Sequence, residues 1–189
     1  KRAARLYKKA SDGGAVEATL ELGICYSDGI GVKQSERKAF KLVMSAAESG
    51  SIRAQRLLGV YYYKSIGTKK DMEKALKWWQ EAADNDDSFS MYLIGKCHWT
   101  GDGLEEDEVK AHDWFKRAVD LNDLGSDDAK FYLGLCQYFG SGCDEDEDAA
   151  FTNFSEALEE GVERASYMVG RCFYFGQGTS RDYVKAAEC

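Results

Sequence analysis

Five copies of one stretch constrain what this chain can fold into. The first copy, residues 18–32, reads A-T-L-E-L-G-I-C-Y-S-D-G-I-G-V. Its central apolar-glycine pair, Leu22-Gly23, returns as Leu58-Gly59, Ile94-Gly95, Leu133-Gly134 and Val169-Gly170, at glycine intervals of 36, 36, 39 and 36 residues. A small residue stands five positions before each glycine: Ala18, Ala54, Ser90, Ala129 and Ala165. Downstream comes a glycine pair, or Gly67 alone in the second copy. A period of this size is the signature of stacked supersecondary units, each touching only its neighbours.

Within each unit two amphipathic helices are predicted. The first opens at Lys38-Ala39, Lys74-Ala75, Lys110-Ala111, Ala149-Ala150 and Lys185-Ala186, with Arg2-Ala3 as the earliest copy. Ser35, Asp71, Asp107, Asp146 and Asp182 precede those openings as expected N-caps, whose side-chain oxygens accept from the free amides of the first turn. Tyr7, Val43, Trp79, Phe115 and Phe154, each followed three residues on by an alanine, complete an i, i+4, i+7 stripe. Gly14, Gly50 and Gly161 are placed to close these helices in the left-handed conformation, with Asp86 in that place in the third unit. The fourth unit lengthens its turn by three residues through 121–126, which accounts for the 39-residue interval. The second helix carries the repeated stretch. Helices are expected over 1–12, 15–28, 36–49, 51–65, 72–84, 87–100, 108–121, 127–140, 147–160, 163–176 and 183–189. The array fills 1–189, with units at 1–35, 36–71, 72–107, 108–146 and 147–182 and a further helix opening at 183–189. It begins and ends inside units, as a piece cut from a longer protein would. Bare unit ends leave open a homo-oligomer formed by end-to-end stacking.

Charge and residue chemistry narrow the function classes. A net charge of −8 argues against nucleic acid, whose binding draws on clustered Lys and Arg. No apolar run is long enough to insert in a membrane as a helix. The acidic run 144–148 lacks the spacing and central glycine of a calcium loop. Cys25, Cys97, Cys136 and Cys172 all stand two residues after the repeat glycine. Equivalent helices about 8–10 Å apart put such cysteines beyond the roughly 7 Å that a disulfide spans. They are expected to be small buried hydrophobes, a usage that fits a reducing compartment. Cys97-His98 lacks further suitably spaced ligands for zinc. His112 is expected to be exposed on a first helix. Ser35-Glu36-Arg37-Lys38 matches S-x-x-K of penicillin-recognising enzymes, but the companion S-D-N and K-T-G elements are absent and helix capping accounts for Ser35. No catalytic residue, metal site or cofactor is assigned.

The residues Ala18, Leu22-Gly23, Tyr26, Gly29, Gly31-Val32, Lys38-Ala39, Ala46-Ala47 and Gly50 resemble the Sel-1-like repeat, a relative of the tetratricopeptide repeat. The likeness covers essentially the whole chain. His98 and Gln137 depart from the tyrosine seen at Tyr26 and Tyr62, and Asn153 interrupts the apolar column of Leu6, Leu42, Trp78 and Trp114. The resemblance implies an all-α, right-handed α-solenoid of about five helix-turn-helix repeats that serves as a non-enzymatic scaffold or adaptor. The partner it implies is another protein, contributing a peptide or helix to a concave face lined by the second helices. A cysteine-rich group of the family joins the two helices of each repeat by a disulfide, at positions where this chain has Ala47 and Ala54, Ala83 and Ser90, Val119 and Ala129, and Leu158 and Ala165.

Three columns of the second helix are not used by the core stripe. They hold Leu20, Arg56, Tyr92, Phe131 and Tyr167; Ile24, Val60, Lys96, Leu135 and Arg171; and Ser27, Tyr63, Trp99, Tyr138 and Tyr174. They lie i, i+4, i+7 apart and share a face. Aromatic side chains and arginine dominate binding hot spots. The candidate peptide-binding residues are therefore Arg56, Tyr63, Tyr92, Lys96, Trp99, Phe131, Tyr138, Tyr167, Arg171 and Tyr174. Packing between adjacent units is the competing role for any of them.

Overall fold

The computed structural model describes residues 2–123 and 125–189; the expected helix start at Lys1, and Leu124 within the lengthened turn, lie outside the described residues. Among the described residues there are eleven α-helices and no strand. They fall into two compact units. The first, Lys1–Asp87, contains α1 (Arg2–Asp12), α2 (Val16–Asp28), α3 (Glu36–Glu48), α4 (Ile52–Lys64) and α5 (Met72–Ala83). The second, Ser88–Cys189, contains α6 (Ser88–Thr100), α7 (Glu108–Asp120), α8 (Asp127–Phe139), α9 (Glu147–Glu159), α10 (Ala165–Phe175) and α11 (Tyr183–Glu188). Every boundary lies within two residues of the one read from the hydrophobic period.

The repeat glycine is where the core closes. A Cβ on Gly95 would stand 2.8 Å from Phe115, and one on Gly134 would stand 2.7 Å from Phe154. On Gly59 it would fall on the indole nitrogen of Trp79. Trp79, Phe115 and Phe154 are fully buried, as are Ala75, Ala111 and Ala150 at the start of the same helices. The glycine is thus a hole that receives a large knob from the helix that follows. Small residues let the two backbones approach, and the knob fills the space at crystal-like density.

The two downstream glycines do different work. The first of the pair ends the second helix at positive φ (Gly29, Gly140, Gly176), and Ser65 adopts the same conformation at φ 62°. The second combines positive φ with close approach. A Cβ on Gly67, Gly142 or Gly178 would collide with the carbonyl of Glu36, Glu108 or Glu147. The second copy therefore keeps Gly67, where only glycine fits, and gives up the first glycine, where the demand is conformational alone.

The N-caps hold four times in five. Asp71, Asp107, Asp146 and Asp182 accept from backbone amides of the first turn of the following helix. Ser35 has the same extended backbone but makes no side-chain cap bond. A second tie was not legible in the side chains. The backbone N–H of Ser35, Asp71, Asp107, Asp146 and Asp182 donates to the carbonyl of Tyr26, Tyr62, His98, Gln137 and Phe173, at 2.8–3.1 Å. This bond is blind to the side chain, which explains why four residue types are tolerated there. In the lengthened turn, Asn122 takes the left-handed conformation. The Asp123 carboxylate accepts from the Gly125 amide and from Ser88 Oγ, and ties the insertion to the start of α6.

Candidate protein-interaction site

The middle column of the second helices, Ile24, Val60, Lys96, Leu135 and Arg171, is half-buried at every step. The flanking columns vary. In the first unit Arg56 is half-buried and pairs with Asp87 at 3.1 Å, while its carbonyl accepts from Trp79 Nε1. Tyr63 is half-buried and its ring centroid stands 5.7 Å from that of Trp79.

In the second unit Tyr92 is 5% exposed and Tyr138 8% exposed. Tyr92 packs on Phe115 of α7 and Tyr132 of α8. Burial first, and then the Asp128 carboxylate, push its phenol up to about 12. Tyr138 packs on Phe154 of α9, its hydroxyl donates to Gln177, and the Arg171 guanidinium lies 5.3 Å from its ring. These two tyrosines are buried against neighbouring helices, the packing role that competes with binding at this face. The physical reason is neighbouring bulk: α8 covers Tyr92 with Tyr132, and Phe154 fills the space beside Tyr138.

Trp99 is half-buried between Phe115 and Tyr132, so it both packs and shows an edge. Phe131 is half-buried beneath the Arg164 guanidinium, 4.8 Å from its ring, and Arg164 is itself paired with Asp128.

On α10 the same columns are open. Tyr167 is 68% exposed and Tyr174 53% exposed, with half-buried Arg171 between them at helical spacing. They border a groove of about 350 Å³, with Gly170, Ala186 and Phe175 among its walls. Phe175 is half exposed and was not among the expected site residues. The signal for it was present: five residues after the repeat glycine the first three copies have Asp28, Lys64 and Thr100, and the last two have Phe139 and Phe175.

The remaining chemistry is structural. Cys25, Cys97, Cys136 and Cys172 are buried free thiols, as expected of small core residues. Burial raises Cys136 to about 12 and Cys172 to about 11, far from the thiolate form that makes a cysteine reactive. His112 is not exposed as expected: its side chain is only 16% exposed, with Nδ1 3.5 Å from an Asp113 carboxylate oxygen. Its position in the unit is that of Phe40 and Phe151, which face inward. No helix among the described residues is long and apolar enough to cross a membrane.

Comparison with known proteins gives this geometry a context. The Sel1 repeat model matches residues 1–14, 16–51, 52–87, 88–123, 127–162 and 164–189. Among solved structures, a protective antigen from uropathogenic Escherichia coli strains with an SLR fold is similar at 27% identity and TM-score 0.84, over 95% of this chain and 38% of its own. A Sel1 repeat protein from Oxalobacter formigenes is similar at 29% identity and TM-score 0.82, over 92% of this chain and 69% of its own. Cysteine rich protein B of Helicobacter pylori shares the fold at 21% identity and TM-score 0.54, over 69% of this chain and 95% of its own. No curated protein sequence matches. The chain thus spans little more than a third of the first of these relatives. Proteins of this repeat generally act in protein–protein interaction, and their helical solenoid is typically non-enzymatic. With six matched segments spread over nearly its whole length and an all-helical solenoid fold of the same kind, the chain belongs to the Sel1 repeat family.

Proposed function

We propose that this protein is a non-enzymatic adaptor that captures a peptide or helical segment of another protein on the face formed by its second helices. The observation that carries the reading is the middle column of that face, Ile24, Val60, Lys96, Leu135 and Arg171, which is half-buried at every step and so keeps part of each side chain for a partner. Trp99 and Phe131 beside it are half-buried as well. Aromatic and arginine contacts at the centre of an interface are each worth about 2 kcal/mol or more.

The test is partner capture with this face altered. Lys96→Glu and Arg171→Glu, both at half-buried positions of the middle column, are expected to abolish recovery of the proteins that wild type retains, with circular dichroism unchanged. Retention of the same proteins by the double variant refutes the reading. Trp99→Ala is a poorer probe, because its ring also packs on Phe115 and Tyr132.

A further inference from the structure

We propose a second docking site, on α1, α2 and α3, for an acidic segment of another protein in which one bulky apolar side chain is flanked by carboxylates. It shares no residue with the second-helix face and does not rest on the function proposed above. The groove measures about 310 Å³. Leu22, Tyr26 and Leu42 make its apolar lining, and Lys8, Lys38 and Lys41 its cationic one, with Asp12 as the single carboxylate among the lining residues.

Three departures from the repeat build this site, and each works in the same direction. Leu42 stands where the next two units have Trp78 and Trp114, so a smaller side chain borders the groove. Ser35 stands where those units have Asp71 and Asp107, which hold Lys74 and Lys110 at 2.7 and 2.9 Å. Lys38, the counterpart of those lysines, lacks that carboxylate; it lies 5.1 Å over the Tyr26 ring, as Lys74 lies 5.4 Å over Tyr62. Lys8 stands where the next two units have Met44 and Gln80, and the one after them Lys116. None of the three groove ammoniums is ion-paired among the described residues.

Charge complementarity chooses the occupant. Residues 1–41 hold nine Lys and Arg against five Asp and Glu, in a chain whose net charge is −8. Unpaired ammoniums beside apolar surface attract carboxylates, and complementary potentials of this kind set specificity and steer encounter. The apolar lining adds the requirement for a leucine or aromatic side chain between those carboxylates.

The probe is a fluorescein-labelled peptide with one central phenylalanine among glutamates and aspartates, titrated by fluorescence anisotropy against the whole chain. Controls are the same peptide with alanine for phenylalanine and with lysines for the acids. Binding is expected for the first peptide alone, and it is expected to weaken as salt rises. Lys38→Glu with Lys41→Glu, at two exposed positions, is expected to weaken it by about tenfold or more. Leu42→Trp, which copies the residue of the next two units and narrows the groove while leaving every lysine in place, is expected to do the same. Arg171→Glu is expected to leave it unchanged, which keeps this result separate from that of the second-helix face. No binding, or binding that survives both groove variants with their circular dichroism intact, overturns the proposal. So does concentration-dependent self-association that Lys41→Glu abolishes, because the occupant is then a second copy of the chain.

Discussion

At the scale of single residues, the glycines separate two physical demands. Ser65 pays a conformational cost at φ 62°, of the order of 1 kcal/mol for a side-chain-bearing residue. Ser65→Gly is therefore expected to raise stability by about 0.5–1 kcal/mol, read as a higher urea midpoint at unchanged slope. Gly67→Ala should do the opposite and lose more, because its Cβ meets the Glu36 carbonyl as well as an unfavourable φ. Gly134→Ala tests the other kind of glycine. Its Cβ would crowd Phe154 at 2.7 Å in a filled core, and overpacking of that sort costs about 1–3 kcal/mol. If Gly134→Ala were neutral, the knob-and-hole account of the repeat would fail. The period marked both kinds of glycine in the sequence but did not say which needed space and which needed only a positive φ. That distinction rests on what stands opposite, and the opposing atoms come from a different helix.

At the scale of the helix, the caps differ by unit. Asp107 accepts from the Lys110 amide at 2.9 Å and pairs with its ammonium, so Asp107→Ala is expected to lower stability, read as a lower urea midpoint. Ser35→Ala should change little, because no side-chain bond is lost. A comparable loss on Ser35→Ala would show that Ser35 caps in solution after all. The same contacts predict a pH dependence. Asp71 is held below the ordinary carboxylate range first by the Lys74 side chain and then by its amide, and Asp107 first by the Lys110 amide and then by its side chain. A carboxylate lowered on folding stabilises the fold above its unfolded value, near pH 4, and that contribution disappears as pH falls through the lowered folded value. The thermal midpoint of the wild type should therefore fall as pH drops below about 4. Asp71→Asn with Asp107→Asn, which keeps capping oxygens without a titrating group, should flatten that limb. Helix positions, stripes and cap residues were readable because they are local and repeat with the helical period. The failure at Ser35 was not, since the same backbone geometry occurs there without the side-chain bond.

At the scale of the whole molecule, the six cysteines report on how the core is closed. Cys143 and Cys189 are accessible, while Cys25, Cys97, Cys136 and Cys172 are buried. An Ellman titration of the native protein near pH 8 should find two reactive thiols, and six in denaturant; burial of Cys136 and Cys172 keeps both protonated well above that pH. Four or more fast thiols in the native protein would contradict the packing around the repeat glycine. The sequence by itself determined the all-helical repeat, its helix limits, the alanine and aromatic core stripe and the fate of the four equivalent cysteines, because each of these follows from a pattern that recurs along the chain. Only the tertiary structure decided which aromatics of the second helices are core and which are surface. Tyr92 and Phe131 share one register position and Tyr138 and Trp99 another, yet the first of each pair is buried and the second half-buried. A residue's place within its own helix says which way it points; its exposure depends on whether another helix supplies a Tyr132 or a Phe154 to cover it.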